Sequence, residues 1–248
     1  MNYTPKSRKC QVTYVGIGPN KGIRKEEKSM KISYTAPRSE EISLAELKAA
    51  ISTGRGREVI SERDELEFTL STGERVVAVC SRVIEDREHG SGSAEFVFKD
   101  CLAERWQMNK TATNKGGYFK SEMRRHILED VYQTLPPELV DVLDLKDITE
   151  EIDGETVTYS DALYIPSATD VFGVDADEWY LDLNHNGQAS IFATERERVK
   201  EIDGVTANWW LRSPLASNPS YFVIVSTSGR VNYYGAYYSF GVAPGFCV

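Results

Sequence analysis

Side chains able to do chemistry are sparse in this chain. There are three histidines, His89, His126 and His185. His89 lies in the Gly/Ser run 89–93, and His126 stands beside Arg124 and Arg125 in an expected helix. Surface placement accounts for both at least as well as proton transfer does. No GxSxG, HExxH or phosphate-loop pattern occurs. Of the four cysteines, Cys10, Cys80, Cys101 and Cys247, no two make a CxxC pair, and their spacing fits no zinc module. The N-terminal residues are polar and basic with no apolar leader, so reduced, buried thiols are expected. Asp182-Leu183-Asn184-His185-Asn186-Gly187 opens like a calcium loop, with oxygen ligands at alternate positions and a glycine for the turn. Its twelfth position, which should supply a bidentate carboxylate, is Ala193, and Glu195 comes two residues late. A plain Asn-Gly turn explains the run better. No catalytic set, metal or cofactor is expected.

The last forty residues offer chemistry of another kind. Residues 209–248 contain Arg212 and Arg230 but no Lys, Asp or Glu, in a chain that is 27% charged. They hold ten aromatics: Trp209, Trp210, Tyr221, Phe222, Tyr233, Tyr234, Tyr237, Tyr238, Phe240 and Phe246. Tyrosine supplies stiff, amphipathic contact area at low entropic cost, and Ser, Gly and Asn supply adaptable hydrogen bonds, which is the mixture antibody paratopes use. The alternative is that these rings are core. Alternation in Tyr221–Val225 places Phe222 and Ile224 on one face and Tyr221, Val223 and Val225 on the other, so this strand reads as central and buried. Tyr233-Tyr234 and Tyr237-Tyr238 are adjacent pairs, and neighbours in a strand point oppositely. One tyrosine of each pair should leave the core and give an exposed aromatic surface.

Other elements must hold this segment in place. Ser43 reads as the cap of a short helix with Leu44, Leu47 and Ile51 on one face. Leu66–Leu70 and Arg75–Cys80 read as a hairpin, and Ala94–Phe98 as a further strand after a Gly/Ser loop, His89 to Ser93. Ser121 caps the clearest helix, with Met123, Ile127, Leu128, Val131 and Tyr132 as its apolar stripe and Pro136-Pro137 as its stop. Pro137 can open a second short helix, Asp153-Gly154 marks a hairpin turn, and Ser167 to Phe172 a capped helical turn. Tyr221–Ser226, Arg230–Tyr234 and Gly241–Cys247 are the late strands. The fold class is α+β, two helices with small antiparallel sheets. A basic N-terminal segment, residues 1–40, precedes one domain over residues 41–248.

Composition bounds the partners. The net charge of −9 argues against nucleic acid. Residues 1–38 carry nine Lys/Arg against Glu26 and Glu27, a basic arm best read as a solvated tail. No apolar run is long enough for membrane insertion, which makes a soluble chain the expectation.

Trp209-Trp210-Leu211-Arg212-Ser213-Pro214, then Phe222, Val225 and Gly229, and finally Gly241-Val242-Ala243-Pro244-Gly245-Phe246 form a spaced pattern. It resembles a family of phage and gut-bacterial proteins with WWLRSP, a spaced F, V and G, and GVRPAF. Gly116-Gly117-Tyr118, Ser121-Glu122-Met123-Arg124, Leu135-Pro136 and Val171-Phe172-Gly173 resemble it in the same order, so the likeness spans about residues 60–248. Ala243 and Gly245 depart from the pattern, which has Arg and Ala there. Such domains resemble the variable proteins of diversity-generating retroelements. The resemblance implies a C-type-lectin-like fold of the formylglycine-generating-enzyme-like subtype, with a C-terminal region diversified at adenines for ligand binding. It implies that Trp209, Trp210, Leu211, Phe222, Val225, Gly229 and Phe246 are scaffold. The ligand-facing set would be Ser217, Asn218, Ser220, Tyr221, Ser226, Ser228, Asn232, Tyr233, Tyr234, Tyr237, Tyr238 and Phe240, one exposed patch with few charges.

The expected function is recognition of a protein or cell-surface ligand by a non-enzymatic chain, cytoplasmic or virion-associated, with oligomerisation left open. The alternatives are a non-diversified phage structural or adhesion component and an enzyme like the formylglycine-generating enzymes, which use a cysteine pair. No Glu-Pro-Asn calcium motif is present, so calcium-dependent sugar binding is not implied.

Overall fold

Alternation and caps build the first elements where the sequence places them. The computed structural model describes residues 30–35, 42–152, 154–173 and 187–248. Most of the basic segment therefore lies outside the described residues, as do Cys10 and residues 182–186 of the calcium-like run. A short strand β1 (Lys31–Ser33) leads to helix α1 (Leu44–Ser52). Ser43 and Glu46 make a reciprocal capping box on α1, and Leu44, Leu47 and Ile51 are buried. After α2 (Gly56–Val59) come β2 (Glu65–Thr69), β3 (Arg75–Asp86), β4 (Ser91–Phe98) and β5 (Trp106–Gln107).

The loop expected over 89–93 is shorter, because Ser91, Gly92 and Ser93 extend β4 against β3. The end of α1 lies against this stretch: a Cβ on Gly92 would meet the carbonyls of Ile51 and Ile84 at 2.7 and 2.8 Å. Glycine here serves close approach and not a turn.

Helix α3 (Glu122–His126) starts at Ser121, whose hydroxyl accepts from Arg124 N. It then widens into a π turn (Ile127–Val131) and tightens into a 3₁₀ turn (Tyr132–Thr134), where one continuous α-helix was expected. The buried stripe Met123, Ile127, Val131 recurs every four residues. That spacing drifts about 40° per step on an α-helix, and a wider turn keeps the stripe on the core. Next come α4 (Pro137–Val140), the hairpin β6 (Lys146–Ile152) and β7 (Glu155–Asp161), β8 (Leu163–Tyr164) and α5 (Ala168–Phe172). After them follow α6 (Glu195–Arg198), β9 (Lys200–Ile202) and β10 (Val205–Ala207). The chain closes with β11 (Trp209–Pro214), β12 (Tyr221–Val225), β13 (Val231–Gly235), β14 (Ser239–Phe240) and β15 (Gly245–Cys247).

The result is a mixed α/β architecture with few, short helices and several small antiparallel sheets. The largest has six strands in the order β1-β2-β3-β4-β15-β8. The strand expected over 241–247 is confined to β15, which is inserted between β4 and β8. Phe246 on β15 stacks on Phe96 at 5.2 Å and meets Phe98 edge-on at 6.4 Å. A separate three-stranded sheet, β11-β12-β13, carries the tyrosines, and one contiguous buried cluster reaches from Leu44 to Val248. Among the described residues no helix is long and apolar enough to cross a membrane.

Candidate ligand-binding surface

The surface begins with what is buried beneath it. All six residues of β11 are buried. Trp209 Nε1 donates to Arg198 O and Trp210 Nε1 to Trp106 O, both at 2.9 Å, so each indole has its partner. Arg212 donates to Ile165 O and to Asp170 Oδ2, each at 3.1 Å. Asp170 closes the capping box of α5 with Ser167 and also pairs with Arg82 at 3.3 Å. Glu95 receives Lys146 at 2.5 Å and Arg82 at 3.7 Å. Five buried charges from β3, β4, β6, α5 and β11 thus meet in one cluster. Burial alone would raise the Asp170 pKa, but Arg212, Lys146 and Arg82 hold it far below the usual carboxylate range. A second ion pair is half-buried: Arg124 is bidentate to the buried Asp161 at 2.8 and 2.6 Å and lies over Tyr159. Two motifs of the resemblance, WWLRSP and SEMR, therefore both carry an arginine paired with a buried aspartate.

β12 is the central strand of its sheet, and Phe222, Val223, Ile224 and Val225 are all buried. β13 pairs with it in regular register, Phe222 opposite Tyr234 and Val223 opposite Tyr233, and lies at the sheet edge. Tyr233, Tyr234, Tyr237 and Tyr238 are 46%, 37%, 46% and 44% exposed. Both members of each pair leave the core, where one of each was expected. Alternation still holds, with Tyr233 on the Tyr221 face and Tyr234 on the Phe222 face, but neither face of this edge strand is covered.

The rings touch in two groups around that edge. Tyr221 stacks on Tyr233 at 5.9 Å, Tyr237 on Tyr238 at 4.5 Å, and Tyr238 meets Tyr234 at 5.4 Å. Phe240 joins Tyr234 at 5.1 Å and reaches Trp210 beneath at 5.1 Å. A hydrogen bond with Tyr238, then the nearness of Tyr238 and Tyr221, push the Tyr237 pKa up and mark these phenols as neighbours.

The polar members fall at the two ends of the hairpin. Ser217, Asn218 and Ser220 lie in the loop before β12. Asn114 holds this loop, donating to Leu215 O, Asn218 O and Tyr221 O at 3.2, 2.9 and 3.0 Å. Ser226 and Ser228 form the opposite turn, their hydroxyls 3.0 Å apart. They lie one strand length, roughly 17 Å, from the tyrosine end, and Asn232 on β13 bridges the gap. Gly229 shapes this turn with φ of +79°, and a Cβ there would strike the Glu195 carbonyl at 1.8 Å. All twelve predicted positions are exposed or partly exposed, and the seven predicted scaffold positions are buried.

Val231 and Arg230 also face solvent here and were missed, although their place between Ser228 and Tyr233 was the available signal. Arg230 pairs with Glu195 at 3.0 Å, so the carboxylate nearest to completing the calcium-like run is engaged by a cation. Larger grooves lie elsewhere: one of about 480 Å³ beside Lys110, Phe119, Arg124 and Arg125, another of about 290 Å³ beside Lys99, Phe192 and Lys200. None of the twelve positions lines either groove.

The remaining chemistry-bearing groups are scattered. His89 is exposed beside Asp86 at 2.7 Å. His126 departs from the surface placement expected of it: its ring stacks on Trp106 at 3.8 Å and only its Nδ1 side reaches Asp130, at 2.8 Å. Cys80, Cys101 and Cys247 are free and buried, as expected. Burial pushes the Cys101 thiol up to about 12 and the Cys247 thiol up to about 11. Among the described residues no cluster of His, Cys, Asp or Glu is arranged to hold a metal. No curated protein and no solved structure matches the chain. A family model described as a domain of unknown function, DUF6273, matches residues 92–248 and takes in α3, Arg212 with Asp170 and the whole tyrosine surface, and the chain belongs to that family.

Proposed function

We propose that the chain is a non-enzymatic binding protein that presents residues of its 209–248 segment to a protein or cell-surface ligand. The observation that carries this reading is the contrast across one strand pair. Phe222 is fully buried while its directly opposed partner Tyr234 and three further tyrosines stand in solvent, Tyr234, Tyr237 and Tyr238 in ring contact through Tyr238 and Tyr233 stacked on Tyr221, all free of acidic or lysine neighbours in sequence. Stiff aromatic area beside small polar residues suits macromolecular recognition. The surface lines neither of the larger grooves, which favours a broad partner over a small molecule. By resemblance, the fold is C-type-lectin-like, of the formylglycine-generating-enzyme-like subtype. The twelve positions would then be those a retroelement varies, in a phage or gut-bacterial setting. The enzymatic alternative has little support, since Cys247 is buried and its thiol pKa is raised, the reverse of a reactive cysteine.

The test is to replace Tyr233, Tyr234, Tyr237 and Tyr238 singly by Ala and to measure both melting and capture from a panel of bacterial cell-surface extracts. Parent-like melting with loss of a captured partner supports the reading. Unfolding of all four variants sinks it, because the rings would then be core. Diversification has its own test: a near-copy of the 209–248 coding segment, differing at adenines and lying beside a reverse-transcriptase gene.

A further inference from the structure

We infer that the outer edge of β13 binds its partner by strand addition, and that the occupant is an extended, uncharged polypeptide segment; this rests on the binding-surface reading above. The hydrogen-bond parity of the hairpin is fixed at both ends. Ser226 N donates to Arg230 O at 2.8 Å, and Ala236 N to Ser220 O at 2.9 Å. These residues are directly opposed in the register, so 222 with 234 and 224 with 232 are the hydrogen-bonded pairs between them. The main-chain groups of Val231, Tyr233 and Gly235 therefore point away from β12. The other side of β12 obeys the same parity, since Tyr221 O turns outward to accept from Leu215 N at 3.0 Å.

Two of the outward groups are already used. Gly235 O accepts from Tyr238 N at 3.0 Å, and Tyr233 N donates to Asn232 Oδ1 at 2.8 Å. The N–H and C=O of Val231 and the C=O of Tyr233 are left aimed outward on exposed residues. One donor and two acceptors, the acceptors two residues or about 6.8 Å apart, match the backbone of another extended chain. Exposed edges are usually blunted by lysine, proline or a bulge. β13 has none of the three, and among the described residues no strand pairs with its outer side.

Charge selects the occupant. Residues 231–248 contain no charged side chain, and Arg230 at the turn is held by Glu195. A charged segment laid along this edge would lose water and meet no counter-charge, so an uncharged one is favoured. Its alternate side chains would fall on the Tyr221–Tyr233 face and on the Tyr234–Asn232 face. The two faces would then read the partner's sequence while the main chain supplies the pairing.

The probe is a phage-displayed library of random dodecapeptides selected on the full chain, with the enriched peptides resynthesised. Strand addition predicts uncharged, β-prone peptides. N-methylation at one set of alternate peptide residues should weaken binding about tenfold or more, and at the intervening set should not. Amide exchange at Val231 should slow about tenfold on binding. Val231→Pro removes the outward N–H at a position where an edge strand tolerates proline, and should weaken binding comparably with melting unchanged. Should that variant fail to fold, exchange and N-methylation on the parent still decide. No enrichment, binding indifferent to N-methylation register, or unchanged Val231 exchange each overturns strand addition. Peptides that bind, ignore N-methylation and are lost on Tyr234→Ala would overturn strand addition alone and leave the binding-surface reading standing.

Discussion

β11 and β13 flank the same strand, yet they use opposite chemistry. β11 buries two tryptophans and an arginine, and meets its polar needs with fixed partners: carbonyls for the indoles, Asp170 for the guanidinium. β13 exposes four of its five residues and is uncharged. The contrast shows how one small sheet can combine a rigid interior with an adaptable exterior. Specific, long-range interactions concentrate on β11, and little in the interior depends on which side chains β13 carries.

That division can be broken most forcefully from the inside. Asp170→Asn leaves Arg212, Arg82 and Lys146 buried around a neutral group, and should cost about 3–5 kcal/mol in urea unfolding. A loss under about 1 kcal/mol would mean the cluster is hydrated and the interior less fixed than described. The same carboxylate gives an acid limit. Its folded pKa is depressed, so its contribution is present above the unfolded value near 3.8 and is lost as pH falls below it. Next in size is the opposed pair Phe222 and Tyr234. Phe222→Ala should cost about 3–5 kcal/mol and Tyr234→Ala no more than about 1. Equal losses would erase the distinction between the strands.

Gly229→Ala, at the turn joining the two regimes, should cost more than about 1 kcal/mol, since both its φ and the Glu195 carbonyl exclude a side chain. Lys200, buried at 5.0 Å over the Trp209 ring, has its pKa lowered to about 8 by desolvation. Between pH 8 and 10.5 the Lys200 amine is protonated in the unfolded chain more than in the folded one, so its own contribution to stability rises with pH, whereas the buried thiols contribute with the opposite sign. The stability difference between the parent and Lys200→Met should therefore shift in the parent's favour as pH rises across that window, as read from paired melts. The smallest effects are expected outside: Tyr233→Ala, Tyr237→Ala and Tyr238→Ala should each move stability by roughly 0.5 kcal/mol.

What could be read in the sequence was local. The caps at Ser43, Ser121 and Ser167, the hairpin around Ser71–Gly73 and the burial of Phe222–Val225 on both faces all follow from short-range spacing. The exposed tyrosine surface was legible for a related reason, because a segment so poor in charge yet rich in Ser, Gly and Asn makes a poor core. Four things were not legible. Arg212 gave no sign of being interior, since Asp170 and Arg82 arrive from 42 and 130 positions away. The Gly/Ser run at 91–93 looked like a loop until α1 came to lie on it. The insertion of β15 between β4 and β8 leaves no trace in its own three residues. Pair alternation at Tyr233-Tyr234 understated exposure, because it assumes that one face is covered and an edge strand has no such guarantee.

Asn114 lies outside the last forty residues, yet its amide reaches the carbonyls of Leu215 and Asn218 and that of Tyr221 at the start of β12, spanning the loop that presents Ser217, Asn218 and Ser220. The path of that loop is thus set before any ligand arrives. Ordering a free loop on association would oppose binding by about 0.5–1.5 kcal/mol for each side chain immobilised, and preorganisation removes part of that cost. Partners should then meet a loop of nearly constant shape whose changes of sequence appear chiefly as changes in dissociation rate.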